Sequence, residues 1–149
     1  MSKGDITQKG HGFEKKVATW AKRFFKASEV KTNLLFPGKT VVRPYEIDVW
    51  VKRKGGLFGS DKILFIECKN RAATIKRADI TKFLASAKDI KAAVSVDLFD
   101  TSDDRYWDSL AFVSTSEFDT DALHVAKQSK IGCYYYDGSK YVEENKVAF

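Results

Sequence analysis

The chain has two cysteines, two prolines and one methionine among 149 residues. So few cysteines exclude a disulfide-built scaffold. Cys68 and Cys133 each sit inside an apolar run and are expected to be buried free thiols of a reducing, cytoplasmic setting. Glycine and proline are too sparse for a collagen-like or low-complexity chain, and neither an internal repeat nor a Pro/Gly/Ser linker is visible. Long hydrophobic runs are missing too. Wholly apolar stretches are as short as Ile63–Ile66 and Leu110–Val113. A membrane-spanning helix needs roughly 20 apolar residues, so no membrane partner is expected. Met1–Gly12 is polar and glycine-bearing, with no signal-peptide core.

What remains is an ordinary globular composition, 44% hydrophobic and 31% charged. A chain near this size buries roughly two thirds of its unfolded surface, enough for one domain with a real core. The charge is uneven. Up to Lys82 there are 19 basic and 8 acidic residues, a net of +11; the remainder has 7 basic and 12 acidic, a net of −5. A basic half with few acids suits a polyanion such as DNA. Lys52, Arg53, Asn70, Arg71 and Lys76 are the expected DNA contacts.

Phe13, Val17, Trp20, Ala21 and Phe24 recur at helical spacing, which predicts a helix from His11 or Gly12 to about Ala27–Ser28. Val30–Phe36 reads as a strand broken by Pro37-Gly38. Tyr45–Lys52 alternates, with Ile47, Val49 and Val51 on one face and Glu46, Asp48 and Trp50 on the other. Lys62–Lys69 is apolar on both faces, as a central strand covered on both sides would be. Ile80, Phe83, Leu84, Ala87 and Ile90 predict a second helix. Asp97–Asp108 reads as a solvated acidic loop and Leu110–Ser114 as a strand. Thr120–Gln128 reads as a short helix capped by Ser116 or Asp119, and Ile131–Tyr136 as a partly buried strand. Asp137-Gly138 signals a two-residue hairpin into Tyr141-Val142. Helical crossovers join parallel strands and short turns join antiparallel ones. The expected fold class is therefore α/β, a central mixed sheet flanked by helices.

One group of residues carries chemistry. Glu67 and Lys69 lie two apart at the end of the most apolar strand, so their side chains share a face. Charged groups there are costly unless paired or used. Asp48 lies within another strand, and if the two strands pair, the carboxylates converge. Two carboxylates make a hard-oxygen site suited to Mg²⁺. A lysine beside it can orient water and stabilise charge on a phosphorane. Glu14 sits at the edge of the first helix's apolar stripe, able to face the same point; in a first helical turn it would also favour the helix dipole. Glu46 shares the Asp48 face and is a lesser candidate ligand, expected first to be a surface acid. His11 and His124 have no metal-ligand spacing with the cysteines.

The ordered series Gly12-Phe13-Glu14, Glu46-Ile47-Asp48-Val49 and Phe65-Ile66-Glu67-Cys68-Lys69-Asn70 resembles the PD-(D/E)xK nuclease superfamily, the restriction-endonuclease-like three-layer fold. Mrr-like restriction endonucleases look the most similar branch, with archaeal Holliday-junction resolvases as cousins. The resemblance runs from about Gly10 to Val142, so residues 1–149 are expected to form a single nuclease domain. Pro44 stands four residues before Asp48, and Glu67 occupies a place where Mrr-like members often carry Gln. The resemblance implies Mg²⁺-dependent hydrolysis of DNA phosphodiesters, with Mn²⁺ as a substitute. It implies metal binding by Asp48, Glu67 and Glu14, and catalysis by these with Lys69. Two alternatives are a junction-resolving nuclease, which would act as a homodimer, and a non-cutting DNA-binding domain of the same fold.

Overall fold

The computed structural model describes residues 3–94 and 104–149, with side chains from Gly12 onward. The expected loop residues Asp97, Asp100 and Asp103 lie outside the described residues, as does the side chain of His11. The elements are α1 (Lys3–Phe24), β1 (Glu29–Phe36), β2 (Tyr45–Arg53), β3 (Lys62–Lys69), α2 (Arg77–Ala92), β4 (Ser109–Ser114), α3 (Thr120–Gln128), β5 (Ile131–Tyr136) and β6 (Tyr141–Asn145).

The six strands form one mixed sheet in chain order, β1 to β6. β1, β2 and β3 pair antiparallel, β3, β4 and β5 parallel, and β5 and β6 antiparallel. The parallel steps are those crossed by α2 and α3, as helical crossovers require. Two cores result. Under α1, Phe13, Val17, Ala21 and Phe25 pack on Val49, Val51, Leu64, Ile66 and Val113. On the opposite face, Ile80, Phe83, Ala87 and Ile90 of α2 and Ala122 and Ala126 of α3 pack on Trp50, Phe65, Phe112 and Ile131. The architecture is thus α/β with three layers, and β3 lies at its centre with Leu64, Phe65 and Ile66 all fully buried.

Four sequence expectations shift. α1 begins at Lys3, not near His11, because a polar stretch can extend a helix whose later turns are anchored. Glu14 is therefore mid-helix and not in a first turn. α1 also stops at Phe24, where Lys26 turns into the left-handed region at φ 51° and Ala27 N–H bonds Lys22 C=O. Strict alternation fails in β2: Ile47 shares the α2-side core with Trp50, while Val49 and Val51 face α1. The facing strand explains it, since Asn33 adopts φ 56° and the β1–β2 ladder steps from Thr32↔Val49 to Leu34↔Ile47. The last hairpin turns about Gly138 and Ser139, one residue later than expected, closed by Asp137 N–H to Lys140 C=O. The Asp137 carboxylate accepts from the N–H groups of Ser139 and Lys140, which fixes that choice.

Other expectations hold. Asp119 caps α3 by accepting from Ala122 N–H at 2.7 Å. Cys68 and Cys133 are buried free thiols. Tyr134 is buried, and Tyr135 and Tyr136 are half-buried. No helix among the described residues is long and apolar enough to cross a membrane.

Candidate metal and catalytic site

The β2–β3 ladder runs from Arg53↔Lys62 to Val49↔Ile66 and then stops. One further step would set Asp48 opposite Glu67. On the other side of β2, the skipped position sets Asp48 opposite Asn33. The sheet therefore opens at Asp48. The Asp48 carboxylate fills the gap by accepting from Cys68 N–H at 2.8 Å, replacing a ladder bond with a side-chain bond.

Three acids meet there. Glu14 reaches down from α1 and is 9% exposed, the one charged residue buried among the described residues. Carboxylate oxygens of Glu14, Glu46 and Asp48 all lie within 4.8 Å of one another. Asn33 links two of them. Its side-chain amide donates to Glu46 Oε1 at 2.7 Å and also to Glu14 Oε2. Beside this trio, Lys69 Nζ stands 3.4 Å from Glu67 Oε1, joining strand neighbours two residues apart on one face.

The site is electrostatically loaded. Burial, then the Glu67 charge, push the Asp48 carboxyl up to about 8 against the pull of the Cys68 N–H, with Glu14 adding to the rise. Burial likewise raises Glu67, opposed by Lys69. Two unit negative charges at such separations repel by about 3 kcal/mol at an effective dielectric of about 20. A divalent cation would remove that repulsion. Its ligands would be oxygen only, the donor set that Mg²⁺ or Mn²⁺ takes in preference to softer metals. The residues present thus fit the cation. Cys68 lies between Glu67 and Lys69 in sequence but faces α1, and burial raises its thiol well above the ordinary value. A thiol kept protonated in this way is not a nucleophile.

Glu14, Asp48, Glu67 and Lys69, all anticipated from sequence, come together. Glu46 is exposed, as expected of a surface acid, yet it belongs to the trio. Asn33 escaped the sequence reading. Its signal was an asparagine, tolerant of the left-handed region, interrupting an otherwise strand-like run. The expected DNA contacts divide. Asn70, Arg71 and Lys76 follow β3 directly: Asn70 Oδ1 accepts from Thr115 Oγ1 at 3.2 Å, Arg71 pairs with Asp79, and Lys76 is the exposed N-cap of α2. Lys52 and Arg53 lie at the other end of β2, about four residues and roughly 13 Å along the strand from Asp48. Lys52 there faces Asp61 at 3.7 Å, and Arg53 donates to Phe25 C=O and covers the Phe149 ring.

Neither a family model nor a curated protein matches the chain. One solved structure is similar: the crystal structure of a protein of unknown function, AF1548, with a TM-score of 0.57 and 19% sequence identity. The match covers 84% of this chain and 55% of that one, so this chain spans about half the length of its structural neighbour. At that identity the likeness establishes the shared α/β fold.

Proposed function

We propose that the chain is a Mg²⁺-dependent DNA endonuclease of the PD-(D/E)xK type, similar to Mrr-like restriction endonucleases. The observation that carries this reading is the meeting of Glu14, Glu46 and Asp48 at the point where the sheet opens, with the Glu67–Lys69 pair beside it. A structural ion pair needs one acid per base. Here four acids gather around one lysine, and that excess is costly to fold unless it serves a cation.

Glu14, Glu46 and Asp48 would hold Mg²⁺, with Glu67 adjoining. When bound, the ion polarises a phosphoryl oxygen and eases ionisation of water. The chain's own groups do the rest. Asp48 is fixed by the Cys68 N–H, so its free oxygen has one direction. Lys69, half-buried and held by Glu67, places its ammonium where it can orient the attacking water and face the charge that grows on phosphorus. It acts by charge and positioning. Arg71, just after β3 and paired with Asp79, and Lys76, the N-cap of α2, would contact the phosphate backbone.

The test is a cleavage panel over linear, plasmid, methylated, flap and four-way-junction DNA, with Mg²⁺, Mn²⁺ and chelator. Cleavage that needs the divalent ion and disappears in Asp48→Ala supports the reading. DNA binding without cleavage of any substrate would overturn it in favour of a non-cutting domain. Symmetric cutting confined to junctions, by a species of dimeric mass, would reassign it as a junction resolvase.

A further inference from the structure

Three residues among those described, glycine apart, have positive φ: Lys26, Asn33 and Lys130. Lys26 and Lys130 follow α1 and α3, where such a conformation commonly ends a helix. Asn33 is different, because it lies inside strand β1 at φ 56°. A strand interior gains nothing from this turn of the backbone: the β1–β2 ladder loses a rung there, stepping over Asn33 and Asp48. Its cost persists only where surroundings hold it.

What the conformation does is aim one side chain. The Asn33 amide has two hydrogens, and both are used: one on Glu46 Oε1 at 2.7 Å, the other on Glu14 Oε2. These partners are 13 and 19 residues away, on β2 and α1. The amide therefore ties the helix-borne acid to the strand-borne acid, beside Asp48. A neutral double donor between two carboxylates occupies the place of positive charge without supplying any.

We infer that Asn33 is a positioning residue: its amide holds Glu14 and Glu46 together in the arrangement a divalent cation requires. This rests on the metal reading proposed above. Without the amide, the two carboxylates would rotate apart under their own repulsion, and each binding event would have to gather them again. Groups that orient metal ligands from behind typically contribute about 10–100-fold in metal affinity.

Two substitutions separate the amide from the backbone. Asn33→Gly removes the amide but accepts positive φ without strain; Asn33→Ala removes the amide and adds strain. Mn²⁺ is titrated calorimetrically into the full chain and both variants, and thermal midpoints are recorded without metal. The expected result is wild-type binding, a fall of about 10–100-fold in both variants, and a lower thermal midpoint in Asn33→Ala than in Asn33→Gly. Wild-type Mn²⁺ affinity in Asn33→Gly would overturn the inference while leaving the metal reading standing, since the backbone alone would then be what matters. Absence of Mn²⁺ binding by the wild type would overturn both.

Discussion

Lys69 Nζ lies 3.4 Å from Glu67 Oε1, although the two residues are next-but-one neighbours on a single strand. The pair is partly open to solvent, with the lysine side chain 39% and the glutamate 20% exposed. A pair at that exposure contributes little stability. Lys69→Ala should therefore fold normally and bind Mn²⁺ and DNA, yet lose about 10²–10⁴-fold in single-turnover cleavage. Lys69→Arg should rescue poorly, since a planar guanidinium does not reproduce a compact ammonium. Cleavage at the wild-type rate by Lys69→Ala would remove the lysine from the reaction.

Stability without metal should depend on pH with a definite sign. The Asp48 carboxyl is raised from 3.8 to about 8 in the folded chain by burial, then by Glu67. The folded state thus keeps a proton that the unfolded state has lost. Stability is fully present below about 3.8 and is lost as pH rises towards about 8. Metal-free thermal midpoints should fall across that window, and saturating Mg²⁺ should flatten the curve. Asp48→Asn keeps an acceptor for Cys68 N–H while removing the charge. It should lose most of the slope, with a remainder from Glu67, which burial raises in the same direction. A slope as steep as wild type in Asp48→Asn would contradict this.

The DNA footprint should centre on the start of α2. Lys76 is exposed there, and its backbone N–H is held by Asp79 at 2.9 Å. Lys76→Gln should weaken binding measured on Ca²⁺ and reduce the slope of log affinity against log salt by about 1. Lys140→Gln, in the β5–β6 turn, should leave both unchanged. Arg53→Gln should show its effect in the thermal midpoint instead, because that guanidinium bonds Phe25 C=O and covers Phe149. Equal losses of DNA affinity at Lys76 and Lys140 would refute the map.

Gly132 in β5 should tolerate no side chain. A methyl there would stand 2.6 Å from Val147 Cβ and 3.0 Å from Tyr134. Gly132→Ala should cost about 1–3 kcal/mol in denaturant unfolding, the range for overpacking a filled core. An unchanged midpoint would show that the segment around Val147 moves aside freely.

The strands were legible because their cues are local. Period-two or all-apolar runs end at Pro37-Gly38, at the Gly55-Gly56 turn and at Asp137-Gly138, and β1, β2 and β5 end within two residues of those bounds. Glu67 and Lys69 were legible for a related reason: charged residues at the end of a wholly buried strand stand out in any pattern. The start of α1 was not, since nothing in Lys3–Gly10 distinguishes a helix extended from an anchored stripe from a polar tail. Asn33 was hidden, and Glu46 ranked only as a lesser ligand, by the same limit. Their importance lies in a hydrogen bond across 13 residues and in a ladder rung that is skipped, and periodicity records neither. The irregularity that misplaced Ile47 and Val49 relative to each other is also what opens the sheet for the acids.

Because sheet order follows chain order, assembly can proceed by accretion. Each strand docks on the edge left by its predecessor, and none must insert between two already joined. The three antiparallel steps close short loops at little entropic cost. The β3–β4 step waits for a helical crossover, residues 70–108, before Ser109–Ser114 arrives. At ribosomal speeds of about 5–20 residues per second, that interval lasts roughly 2–9 s. During it the most apolar strand, β3, is an open edge able to recruit strands from other chains. Substitutions that delay β4, such as polar replacements at Phe112 or Val113, should therefore lower soluble yield from the nascent chain well before they disturb the acids around Asp48.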